Sequence, residues 1–264
     1  NSFKNYLSFF LSLSAVIIII FTLATLYAKY IKRLNIKKAC FFAASACLSN
    51  ACMLAFPILH MLMGHEGAIY GIISVIVLIF GLQVMNILAD WMSGDVTKSN
   101  WKKCFQAIIK SFKQEFFIAF ILGIIFSFFH IGIPTSIKTT LTYLANATAP
   151  AALFAVGINL DTSILKGNLQ TIIEACAFKL ILMPITAYLL ALLFNLSLDT
   201  TFALIICSSI ATAKCQYAVA KNKDIYAEET ASIVAGTTLM TICALIIVLY
   251  IFQTLHPEFF HQLN

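Results

Sequence analysis

Apolar runs recur along the whole of this chain, each close to the ~20 residues that carry one helix across the hydrocarbon core of a bilayer. Eight can be marked: Tyr6–Tyr27, Cys40–Met63, Ala68–Trp91, Phe116–Ile133, Ile137–Ile158, Thr171–Phe194, Thr200–Ala220 and Ala231–Phe252. The composition agrees, with 61% apolar and 11% charged residues, roughly half the charged share of a soluble domain. The chain reads as an all-α polytopic membrane protein whose solvent is the lipid bilayer. A transmembrane β-barrel would show short alternating segments instead.

Basic residues set the phase of these spans. Alternate loops carry Lys29, Lys32, Arg33, Lys37 and Lys38; Lys98, Lys102, Lys103, Lys110 and Lys113; Lys166; and Lys221 and Lys223, 13 in all, against Lys4 and Lys138 on the other side. The rich side is cytoplasmic by the positive-inside rule, which leaves both chain ends extracytoplasmic in a multi-pass protein of the cell (inner) membrane. The net charge of +6 is therefore a matter of topology, and no nucleic acid is expected as a partner. The first apolar run lacks a small-residue cleavage site, so it is not expected to be a removed signal. The cysteines show no CxxC pair, and neither a metal nor a cofactor is expected.

The longest connection divides the chain. In Asp95–Glu115, Trp101, Phe105, Ile108, Ile109 and Phe112 recur at helical spacing with lysines between them, the pattern of an amphipathic helix on a membrane surface. The expected organisation is residues 1–94 with three spans, a linker helix over 95–115, and residues 116–264 with five. Shifting the seventh span back by 158 positions lays Ser208 on Asn50, Cys215 on Pro57 and Asp224 on Glu66. The two segments run in opposite directions, the trace of an inverted repeat. Two further spans are then expected before Asn1, and the missing initial Met fits a trimmed chain.

Thr200–Lys221 is unusual for a membrane helix. Ser208, Ser209, Thr212, Lys214 and Gln216 crowd its middle, and a cation at that depth costs at least about 2.5 kcal/mol. Cys40–Met63 is interrupted likewise, by Ser49, Asn50 and Pro57. Proline removes a backbone donor and frees carbonyls one turn earlier, near Met53. Groups freed at membrane depth are tolerated where they line a cavity or find partners. The alternative for Pro57 is a kink with no ligand. For Lys214 it is a side chain that snorkels to the cytoplasmic face; as a site residue it would face a carboxylate or carry a coupled proton. Lys179, deeper in its span, reads equally as fold support or cavity lining. His60, Asp90 and His130 read as interfacial, and Gln83 and Asn86 as interhelical hydrogen-bonding groups.

Several segments resemble the auxin efflux carrier family, whose bacterial relatives include malate and malonate permeases. Gly132, Ile133 and Pro134 match its short turn; Thr148, Pro150, Ala152, Leu153, Gly157 and Leu160 match the following helix; FKLILMP (Phe178–Pro184) and SNACMLAFP (Ser49–Pro57) match two more. The resemblance implies a ten-helix transporter of two inverted five-helix repeats, similar to sodium/proton antiporters and bile-acid symporters, with eight spans present here. It implies that Cys40–Met63 and Thr200–Lys221 are broken and cross at mid-membrane, and that a homodimer can form. The family's Pro and Asn in the later crossing helix are replaced here by Ala211 and Cys215, with Lys214 added. Gln114 and Glu115 replace an Asn-Pro. The later helix is accordingly expected to be less sharply broken, with Lys214 supplying charge.

The function expected is secondary transport of a small organic anion, a carboxylate, by alternating access, coupled to H+ or Na+. Substrate contacts are expected from Ser49, Asn50, Pro57, Ser209, Thr212, Lys214, Cys215 and Gln216. Protons are favoured over sodium because no acidic pair sits at mid-membrane. The alternatives are a transporter or channel for another solute, an inactive truncated protein, and a membrane-embedded enzyme. Against the last, the chain has no HExxH or GxSxG motif, and no enzymatic activity is expected.

Overall fold

The computed structural model describes residues 2–92, 131–158 and 169–259, together with positions 118, 119, 122, 123, 125, 126 and 129. The linker helix expected over 95–115, and part of the span expected over 116–133, lie outside the described residues. Every regular element among the described residues is helical, as the apolar runs require of an all-α membrane protein.

Helix α1 (Ser2–Tyr30) is a single uninterrupted span, since it contains neither Gly nor Pro. The chain turns through Arg33, which takes a left-handed φ of 54°, and α2 (Ile36–Cys47) starts under an N-cap. The Asn35 side chain supplies it, accepting from the Lys38 N–H at 2.9 Å and so satisfying one of the free amides of the first turn.

A π-helical turn at Ala51–Ala55 leads into α3 (Phe56–Met92). The apolar helical run Ala51–Trp91 is 41 residues long, about twice what one crossing needs. The chain reverses at Gly64, whose φ of 59° with ψ of −132° is readily adopted only by a residue without a Cβ. A Cβ on Gly67 would lie 2.0 Å from the Leu59 carbonyl oxygen, and one on Gly71 would lie 2.7 Å from Phe56 Cα. Residues equidistant from the turn therefore touch, and the two arms of α3 lie antiparallel. His60 Nδ1 hydrogen-bonds the Gly64 carbonyl at 3.1 Å, closing the turn. Asn86 does not bridge helices as expected; its amide donates to Leu82 O of its own helix at 2.7 Å.

Helix α4 (Thr135–Ile158) starts directly after the Gly132–Ile133–Pro134 turn. Helix α5 (Leu169–Cys176) passes through a second π-turn at Ala177–Leu182 into α6 (Met183–Leu193). Helices α7 (Leu198–Ser208), α8 (Lys214–Lys223) and α9 (Ala227–Leu255) complete the described chain. A Cβ on Gly236 of α9 would come 2.3 Å from Ile172 Cγ2 of α5, so those helices meet at a glycine, as membrane helix interfaces favour.

Polar pairs tie the helix ends together. At one end Tyr6 Oη donates to Glu66 Oε2 (2.5 Å) and Tyr70 Oη hydrogen-bonds Thr200 Oγ1 (3.0 Å). At the other, Lys32 Nζ donates to Glu174 Oε2 (2.5 Å) and Thr171 Oγ1 (2.9 Å), and Lys223 pairs with Asp90 at 3.0 Å. Each pair joins residues that the lysine and arginine distribution assigns to one side.

Candidate functional site

The centre of the molecule is a crossing of two interrupted helices. Helix α2 stops at Cys47 and helix resumes at Ala51. Helix α7 stops at Ser208 and α8 begins at Lys214. The extended segments between them pair antiparallel, with Ser49 opposite Thr212. The Asn50 N–H donates to Ala211 O at 2.8 Å, and the Ala213 N–H donates to Leu48 O at 2.9 Å. Side chains fasten the same crossing. Ser49 Oγ donates to Cys207 O at 2.6 Å, Thr212 Oγ1 donates to Ser45 O at 2.6 Å, and the Thr212 N–H donates to Thr237 Oγ1 of α9 at 3.1 Å. Backbone groups released by one break are thus satisfied by the other, which is what membrane depth demands.

The later helix, expected to be less sharply broken for want of its Pro and Asn, is interrupted over 209–213. Ser208 and Ser209 donate back to Leu204 O and Ile205 O, a pattern that competes with the helix ladder, and pairing with Leu48 and Asn50 supplies the alternative. The register of the breaks also differs from the 158-residue shift. Cys47 corresponds to Ser208 as the last residue before the break, and Cys52 to Cys215 as the second residue after it. Pro57 does not make the break. It is the second residue of α3, beyond the π-turn, whose i→i−5 bond from the Phe56 N–H to Ala51 O spaces the helix where the proline lacks a donor.

The residues expected to bind substrate therefore divide. The side-chain hydroxyls of Ser49 and Thr212 are occupied in holding the crossing together, and that of Ser209 is spent on Ile205 O of its own helix. Two others are buried without partners. Asn50 is 4% exposed and Gln216 1% exposed, yet Asn50 Nδ2 and Gln216 Oε1 have no hydrogen-bond partner among the described residues. An unsatisfied buried polar atom costs about 1–3 kcal/mol. Asn50 precedes the π-turn at Ala51, and Gln216 lies in the first turn of α8; neither N-terminus carries a side-chain cap. Two uncapped N-termini present amide donors and partial positive charge. Cys215 beside them is half-buried.

The cation at the centre of the crossing is Lys179, where the sequence had directed attention to Lys214. Lys214 is the first residue of α8 and half-buried, and it makes no ion pair among the described residues. Lys179, on the second π-turn, is completely buried. Its Nζ donates to Ser49 Oγ at 2.5 Å, Cys47 O at 3.3 Å and Met183 Sδ at 3.0 Å. No carboxylate of the described residues lies within 4.0 Å of it. The signal available in the sequence was its position near the middle of the 25-residue helical run Leu169–Leu193, farther from either end than Lys214 is from the end of its own span.

A cavity of about 420 Å³ between α1 and the second arm of α3 is lined by apolar groups such as Phe10, Phe21, Phe80 and Met85. It offers no charge to an anion and does not coincide with the crossing.

Two curated proteins are similar to this chain in sequence. An uncharacterized transporter of Methanocaldococcus jannaschii is 29% identical over 178 residues, covering 66% of this chain and 56% of that protein. A Rhizobium meliloti protein provisionally named a malonate transporter is 26% identical over 143 residues, covering 53% of this chain and 44% of that one. The chain thus spans about half the length of these curated relatives. A membrane protein of long apolar helices, two of them broken and crossed, with a match over residues 1–251 to the description "membrane transport protein", belongs to the membrane transport protein family, the auxin efflux carrier-like transporters.

Proposed function

We propose that the protein is a secondary active transporter that moves a small carboxylate across the membrane by alternating access around the crossing of α2–α3 and α7–α8. The observation that carries this reading is the pair of buried, unpartnered side-chain atoms, Asn50 Nδ2 and Gln216 Oε1, beside two uncapped helix N-termini. Amide donors and helix dipoles suit a carboxylate. An acceptor at Gln216 suits a hydroxyl or a protonated carboxyl group, so a hydroxy acid or a half-ionised dicarboxylate fits both. The name of the Rhizobium relative supports a substrate of that class.

In this reading Asn50, Cys215, Gln216 and first-turn amides of the two half-helices other than that of Ala51 touch the anion, and Lys214 draws it in electrostatically. Ser49 and Thr212 hold the two breaks in place. The chain supplies eight of ten spans of an inverted five-helix repeat, divided at 1–94, 95–115 and 116–264. Both ends of the chain face the extracytoplasmic side of the cell (inner) membrane, the coupling ion is the proton, and two copies assemble as a homodimer.

The test is uptake of labelled malonate and L-malate into proteoliposomes containing the full-length protein under an imposed pH gradient. Saturable uptake that falls at least about tenfold, or about 1.4 kcal/mol, in both Asn50→Ala and Gln216→Ala is expected. Uptake that does not saturate would point to a channel, and equal uptake by empty vesicles would end the transport reading. Lys214→Ala transporting as well as the wild type would remove that residue from the site.

A further inference from the structure

We infer that the Lys179 ammonium is a tethered cation whose counter-anion is the transported carboxylate, so that anion binding and protonation of Lys179 Nζ are linked. The inference rests on the transport reading above and adds the group that carries the coupled proton.

An ammonium has three N–H donors and no acceptor. At Lys179 all three are engaged, by Ser49 Oγ, Cys47 O and Met183 Sδ. Every acceptor is neutral. A buried charge is normally paired, because removing it from water is costly, and here the pairing carboxylate is missing among the described residues. The groups facing Lys179 from neighbouring elements bear this out. From α2 it is the Cys47 thiol, and from α7 the Cys207 thiol. On α1, Tyr27 packs against the adjoining Phe178 with ring centroids 5.3 Å apart. The acid nearest in sequence, Glu174, is held by Lys32, and the acids of α9, Glu228 and Glu229, sit in its first turn. What lies beside Lys179 is the crossing. Ser49, which accepts from it, immediately precedes Asn50, whose buried side-chain nitrogen has no partner among the described residues.

An anion entering beside Asn50 therefore completes a charge pair that the protein leaves open. The anion stabilises the protonated amine, and the protonated amine stabilises the bound anion, by equal amounts. When the carboxylate leaves, the amine is again uncompensated and its proton passes to solvent on the side to which the crossing is then open. One anion and one proton move together, and no alkali cation is needed at the crossing.

Calorimetry of malonate and L-malate binding to the full-length protein, between pH 7 and 9 in two buffers of different ionisation enthalpy, tests this. The wild type should take up protons on binding, and its affinity should fall with rising pH, approaching about tenfold per pH unit once the free amine is deprotonated. Lys179→Gln, which keeps hydrogen bonding without charge, should lose at least about tenfold in affinity at pH 7 and show no proton uptake. Lys179→Arg, which stays charged throughout this range, should bind with an affinity independent of pH. Proton uptake that persists in either variant places the proton on the ligand or elsewhere and overturns the inference, as does wild-type binding without proton uptake. In those cases the transport reading stands. If neither carboxylate binds the wild type, the anion site fails and this inference with it. Should either variant not fold, the other and the wild-type measurement still decide.

Discussion

Asn50 and Thr212 lie on opposite sides of one crossing and call for opposite mutational behaviour. Asn50 Nδ2 is buried without a partner, so Asn50→Ala removes an unsatisfied group. Its thermal stability in detergent should be unchanged or slightly higher while uptake collapses. Thr212 Oγ1 donates to Ser45 O across the crossing. Thr212→Val leaves that buried carbonyl without its donor, at about 1–3 kcal/mol, and should lower the unfolding midpoint measurably. A loss of stability in Asn50→Ala equal to that in Thr212→Val would mean that both are structural. Lys179 shows the limit of reading residues from sequence. Its depth was visible; that its partners are Ser49 and Cys47, 130 and 132 residues away, was not.

Among elements, the two broken helices were legible as anomalies. A span with five polar residues in its middle had to be broken or lining something, and both broken spans were identified. How each breaks was not legible. The later one breaks without proline because its extended segment finds hydrogen bonds on the other broken helix and on Thr237 of α9. Such partners are remote in sequence, and helix propensity says nothing of them. The hairpin of α3 depends instead on local chemistry. Gly67→Ala would drive a Cβ to 2.0 Å from backbone at Leu59, which no side-chain rotation can relieve. We expect loss of several times the ~1 kcal/mol typical of point substitutions, read as aggregation on size exclusion or a greatly lowered midpoint. Gly132→Ala, where a Cβ meets nothing within 4 Å, is the matched control and should be close to neutral.

At the scale of the molecule, the arms are joined at their ends by ion pairs between distant parts of the chain. Lys32 and Glu174 are mostly buried, with side chains 14% and 12% exposed, and Lys32 also lies over the Phe42 ring, 5.1 Å from its centroid. Removing one partner of such a pair strands the other and costs about 3–5 kcal/mol, whereas replacing both with apolar residues is close to neutral. Lys32→Met and Glu174→Leu should each lower the unfolding midpoint in detergent, and the double variant should recover most of the loss. Additive losses would show that the pair is not a unit.

The apolar runs alone determined that the chain is a helical membrane protein, because only helices and closed barrels satisfy a backbone in lipid and a barrel would read as short alternating segments. The lysine and arginine distribution assigned helix ends to sides, and the hydrogen-bonded pairs Tyr6–Glu66 and Lys32–Glu174 join ends that it places together. Hydropathy and charge are sums along the chain, and so they survive without knowledge of contacts. What only the tertiary structure decided is which polar groups are satisfied. Ser49, Ser209 and Thr212 share the composition of a binding site with Asn50 and Gln216, and Lys214 shares its charge with Lys179. Only the pairing of two segments more than 150 residues apart separates the groups that hold the crossing from those it leaves open, because a hydrogen bond is a property of two atoms and a sequence lists them singly.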